Sequence, residues 1–176
     1  MRILYAEREV DIIFNFKSNA ATIKIFLFLT VIAFFMPFFS VSCSNNTDDG
    51  GVSFSGFELS AGKYVGGYRQ DGHFLGFMLL VPPAVLLILT FLICEIKNPA
   101  FHNILKYISF IVPIFDIFAA FMIKFAFNAV LLKIMRDRNL EQLPVRISIK
   151  SGFLLYILFN IVVCVFAVTN YFTKRE

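Results

Sequence analysis

Four apolar stretches, each close to the length that crosses a bilayer, divide this 176-residue chain: residues 22–41, 74–94, 108–123 and 153–171. A hydrocarbon core of about 30 Å takes roughly 20 helical residues, each advancing about 1.5 Å. The chain is 59% hydrophobic and 16% charged, against about 25% charged in soluble domains, which at this size cannot hide so much apolar surface. The sequence therefore predicts an all-α membrane protein, a four-transmembrane-helix bundle forming a single membrane domain over residues 1–176. The third helix is expected to continue to residue 135. The lipid bilayer is the first partner implied. The net charge of +4 reads as basic residues flanking spans, and no nucleic acid partner is expected.

With 24 Phe and 0 Trp, the interfacial aromatic belt falls to tyrosine, and Tyr107, Tyr156 and Tyr171 stand near predicted helix ends. Three cysteines, Cys43, Cys94 and Cys164, make no disulfide framework and read as free thiols, with a bridge between subunits the other option for Cys43. Ser40 occupies the position where a lipoprotein signal carries an aliphatic residue before its cysteine. The apolar run is also longer than a secretory core, so the first span reads as retained. The leader, residues 1–21, mixes Ile3, Tyr5, Ile12 and Phe16 with Arg2, Glu7, Arg8 and Lys17. Two readings stand: a helix on the membrane surface, or one packed on the cytoplasmic ends of the bundle.

Between the spans, residues 42–73 form a polar loop with a turn-rich tip from Asn45 to Gly51, then an alternating strand signature from Val52 to Leu59. Residues 136–151 form a basic loop with a second strand signature, Val145 to Ile149. Pro82 and Pro83 interrupt the second span and Pro113 lies in the third, so helix kinks are expected at these prolines. Lys and Arg number eight on each side of a four-span layout. The flanks of the first span break the tie toward both termini in the cytoplasm. Both large loops then lie outside, as extracytoplasmic loops, where their strands are expected to pair into a small β cap over the helices.

The run Pro37-Phe38-Phe39-Ser40-Val41-Ser42-Cys43, followed by Phe54-Ser55-Gly56-Phe57-Glu58-Leu59-Ser60-Ala61-Gly62, resembles a pattern in small, uncharacterised bacterial four-span membrane proteins. That resemblance covers about 27 residues and implies a bacterial plasma membrane and an outward first loop, but no activity. The layout is also similar to claudin-like tetraspan proteins, although this chain has no Trp and only one loop-side Cys.

Ionisable groups inside a span are functional candidates. Asp116, Lys124 and Asn128 recur at steps of four with Ala120 between them, forming a slowly winding polar stripe on the third helix. It lines a water-filled path, or it makes helix–helix contacts with Lys124 reaching the interface. Asn160 on the fourth helix is the candidate partner of Asp116. The cap residues Phe54, Phe57 and Glu58 are candidates for binding a partner.

No catalytic residues are expected. His73 and His102 lie at opposite membrane faces, no set has metal-ligand spacing, and the Gly56 to Lys63 segment has the wrong spacing for a phosphate loop. The sequence thus predicts a non-enzymatic accessory or interaction protein, requiring no cofactor and no metal. It would associate with itself as a homo-oligomer or with another membrane protein. The alternative is a subunit of an oligomeric pore with the third helix lining the lumen.

Overall fold

A computed structural model of the chain describes residues 21–43, 51–65, 68–72, 74–93, 99–137 and 145–172. The predicted leader, except Ala21, lies outside the described residues, as do the 44–50 loop tip, His73 and Cys94. The described residues are mostly helical, with a three-stranded sheet and a short two-stranded hairpin.

The first apolar run does not stay helical. Helix α1 covers Ala21–Phe35 and gives way to strand β1, Pro37–Cys43. The predicted span 22–41 is corrected to a helix followed by a strand. Proline explains the change: Pro37 has no N–H, and its ring disfavours helical backbone at Met36. The last turn closes with Met36 N–H donating to the Ala33 carbonyl at 3.0 Å.

β1 then becomes the centre of the sheet, in the order β2-β1-β5, where β2 is Val52–Ser55 and β5 is Val145–Ile149. Both pairings are antiparallel. The two strands expected to pair with each other are therefore separated by one taken from the first apolar run. The register shifts between Pro37 and Phe39, leaving one extra β1 residue opposite β2. Adjacent residues normally face opposite sides of a sheet, and the bulge releases that alternation. Phe38 and Phe39 are both fully buried.

The strand expected over residues 52–59 ends early. Ser55 caps helix α2, Gly56–Ala61, by accepting from Glu58 N–H, while Glu58 accepts from Ser55 N–H. This capping box satisfies two backbone donors at once. The helix stops at Gly62, whose φ of 88° is left-handed backbone that suits glycine. Strands β3, Lys63–Val65, and β4, Tyr68–Gln70, follow as an antiparallel hairpin.

The second apolar run opens as a 3₁₀ helix, Phe74–Leu79, and becomes α-helical in α3, Val81–Ile93. Pro82 and Pro83 fall in the first turn of α3, where the N–H groups they lack have little use. Helix α4, Pro99–Asp137, has 39 residues and stays helical through Pro113. At about 58 Å it extends past the predicted third span in both directions. Helix α5, Ser151–Phe172, agrees with the predicted fourth span within two residues. Among the described residues two segments are long and apolar enough to cross a membrane, Ile104–Lys133 and Ser151–Thr169; Ala21–Phe35 and Gly76–Leu92 are shorter apolar helices.

The packing is aromatic near the sheet and aliphatic away from it. Phe38 sits at the centre of the first cluster, with ring centroids 5.8 Å from Phe153, 5.6 Å from Tyr156 and 6.2 Å from Phe34. Leu27, Leu86 and Val163 form the heart of the second cluster. The four apolar helices have an inverted surface. α1 exposes Ile25, Phe28, Ile32 and Phe35 while burying Thr30; α5 exposes Leu154, Leu158, Ile161 and Val165 while burying Asn160. α3 and α4 follow suit by burying Thr90 and Asp116 beneath exposed Val, Ile and Phe.

Candidate functional site

Two places combine polar and apolar groups in ways that packing alone does not require. The first is a buried polar cluster between α4 and α5, the most extensively packed pair of helices. Asp116 lies on the α4 face shared by Ala120, Ile123 and Phe127, which packs into the core. Ala119 and Ala120 are small enough to bring α5 close. Across from them, Tyr156 and Asn160 are one turn apart and both fully buried. The Tyr156 hydroxyl donates to the Leu79 carbonyl at 2.7 Å, and Asn160 Nδ2 donates to the Tyr156 carbonyl at 3.0 Å. Asp116 is within electrostatic reach of the Tyr156 phenol.

The expected pairing of Asp116 with Asn160 is not made. Both Asp116 carboxyl oxygens and Asn160 Oδ1 are buried without a hydrogen-bond partner. Only a protonated carboxyl would have a donor to offer the Asn160 oxygen. Asn128 Oδ1 is likewise unpaired. Along α4 the polar stripe turns out of the core: Asp116 and Ala120 are fully buried, whereas Lys124 and Asn128 are half-buried. Tyr156, read from sequence as a belt residue, is corrected to a core residue. Thr30 and Thr90 satisfy their hydroxyls on the carbonyls of Phe26 and Leu87 within their own helices.

The second place is a groove of about 380 Å³ between α4, α2 and the 3₁₀ helix. This volume falls within the roughly 300–1,000 Å³ of small-molecule sites. One wall is a stripe of α4 residues, Phe115, Phe118, Met122, Ala126 and Val130, which runs about 22 Å along the helix. The opposite wall includes Leu59, Gly76 and Met78. Gly76 lets the 3₁₀ helix approach α2, because a Cβ there would collide with the Ser60 hydroxyl.

The remaining groove residues include Glu58, Lys63 and Asp71, all from the cap. Glu58 Oε1 lies 2.8 Å from Lys63 Nζ, with the two side chains 33% and 26% exposed. Lys63 Nζ also donates to the Ser53 carbonyl at 2.7 Å and lies 5.6 Å from the centre of the Phe54 ring. Partial burial pushes the Glu58 carboxyl up, but the Lys63 hydrogen bond and charge and the Ser55 N–H outweigh it, leaving the group below its ordinary value.

The cap candidates thus take different places. Phe54 is 6% exposed and packs edge-on to Phe127, their centroids 5.8 Å apart, while Glu58 is held by Ser55 and Lys63. Both line the groove. Phe57 is exposed and stacks on Phe35 at 5.7 Å, away from the groove lining.

Sequence reasoning did not find the α4 stripe. It repeats at steps of three and four, but in a helix apolar on nearly every face no single stripe stands out. Among the described residues no group of His, Cys, Asp or Glu could hold a metal ion, and Cys164 is a free thiol. No protein-family description, curated protein or solved structure matches this chain.

Proposed function

We propose that this chain is a four-span protein of the bacterial plasma membrane with both termini in the cytoplasm. It acts as a non-enzymatic accessory protein whose recognition site is the groove between the cap and α4. The groove is the observation that carries the reading. It joins an apolar wall to a charged mouth, the arrangement that recognises an amphiphilic partner.

The inverted surface supports membrane insertion. An exposed run of Phe, Ile and Val on all four apolar helices, above buried Thr30, Thr90, Asp116 and Asn160, suits lipid outside and polar contacts inside. The described part of α1, Ala21–Phe35, is followed after one residue by β1. β1 is hydrogen-bonded on both sides by β2 and β5, so its backbone is satisfied where α1 gives way to the cap. The pore alternative draws less support, since Asp116 is enclosed by helices of its own chain.

A photo-activated crosslinker at Met122, inside the groove, should capture a discrete partner in native membranes. The same probe at Phe125, exposed on α4 but outside the groove lining, should capture the surrounding lipids without selecting among them. Indistinguishable products at the two positions would remove the groove from consideration.

A further inference from the structure

We infer that the groove holds one acyl chain of a bilayer phospholipid carrying a primary-amine headgroup, with the phosphate on Lys63 and the ammonium on Asp71. The inference rests on the membrane reading above and names the partner that the groove selects. Phe118 and Met122 belong both to the groove wall and to the strongly exposed face of α4. The groove therefore opens sideways onto the surface that lipid covers, and an acyl chain enters it without crossing water.

The charges at the mouth select the headgroup. A lysine ammonium has three protons. Two go to the Ser53 carbonyl and Glu58 Oε1, leaving one for an incoming oxygen. Glu58 is already committed, with Oε1 on Lys63 and Oε2 on Ser55 N–H. Asp71 is the exposed carboxylate of the groove. Lys63 pairs with Gln70 across the hairpin, so Asp71 stands one residue along from the partner of Lys63. The mouth thus offers one donor of positive charge beside one acceptor of negative charge. A phosphate linked to a primary ammonium by two carbons complements that pair. A quaternary choline has no N–H to donate to Asp71, and an uncharged glycerol headgroup leaves the phosphate negative charge beside Asp71 without an ammonium between them.

The test is native mass spectrometry of the full chain in mild detergent, titrated with phosphatidylethanolamine, phosphatidylcholine and phosphatidylglycerol of identical chains. One phosphatidylethanolamine should be retained about tenfold more strongly than either competitor, the size of one charge-assisted hydrogen bond. Asp71→Asn should remove that preference while leaving chain binding intact. Ala126→Trp, at an exposed wall position, should fill the groove and remove the bound lipid. Equal retention of all three lipids, or retention indifferent to both substitutions, overturns the inference. A polypeptide captured at Met122 with no headgroup selection overturns it while sparing the proposed accessory role. No distinct capture at Met122 removes the reading on which it rests.

Discussion

The Tyr156 hydroxyl donates to the carbonyl of Leu79 at 2.7 Å, an oxygen that Pro82 and Pro83 deprive of both its helical donors. A 3₁₀ continuation would supply the N–H of residue 82 and an α continuation that of residue 83, and proline has neither. Tyr156→Phe should therefore cost about 1–3 kcal/mol by leaving that carbonyl buried and unpaired. Pro83→Ala restores the α donor, so the double variant should lose much less than Tyr156→Phe alone. Unfolding in detergent across the four-member cycle measures the coupling, and strict additivity would contradict the link.

Gly56 sits where a Cβ would come within 2.5 Å of the Phe34 ring. Gly56→Ala should cost about 1–3 kcal/mol through overpacking. Adding Phe34→Leu should recover part of that loss, as read by the unfolding midpoint. A Gly56→Ala variant as stable as the parent would show that the ring yields freely.

The Glu58–Lys63 pair sets an acid dependence. The folded carboxyl lies below its ordinary value of 4.5, so the stabilisation is fully present above that value and is lost as pH falls through the folded value. Because both side chains are partly exposed, the contribution should not exceed about 1 kcal/mol. Glu58→Gln should lower the unfolding midpoint slightly at pH 7, and the difference should shrink as pH falls through the folded value. A difference that does not change with pH would assign the effect to packing.

Topology is open to labelling in a variant with Cys43, Cys94 and Cys164 replaced by Ser. A membrane-impermeant maleimide should modify Asp71→Cys in intact cells and Arg175→Cys only after permeabilisation. The reverse pattern would place both termini outside and follow the six basic residues from Lys124 to Lys150 rather than the first-span flanks.

Asp116→Asn replaces a buried, unpartnered carboxyl by an amide of nearly the same shape with two donors. It should leave the fold intact and be neutral to stabilising, with Met122 capture unchanged. The purified parent should show no ion conductance in liposomes. Measurable flux abolished by Asp116→Asn would instead favour the pore.

The helical elements were legible where periodicity and length agreed. The α5 boundaries follow from an uninterrupted apolar run, and β5 from the alternation Val145-Arg146-Ile147-Ser148-Ile149. Errors arose where a short apolar run had two solutions. Phe38 to Val41 is apolar enough for a span; Pro37 ends the helix before it, and its partners β2 and β5 make it a strand. The Ser55…Glu58 capping box was present in the sequence, but local alternation through Leu59 obscured it. At the site, the polar identity of Asp116 and Asn160 was visible, whereas their failure to pair depends on side-chain direction across two helices. The groove depends on three elements distant in sequence, so no local pattern could announce it.

The three-stranded sheet ties segments made early in synthesis to one made late. β1 ends at Cys43, and its second neighbour begins at Val145, so a ribosome must add about a hundred residues before that edge can close. Until then β1 carries an open, strongly apolar edge that invites the wrong strand. Closure requires β5 to arrive on the same side as β1, which in the proposed four-span arrangement depends on how α3 and α4 are threaded. A chain in which β5 does not arrive leaves β1 paired to β2 alone, with its other edge open.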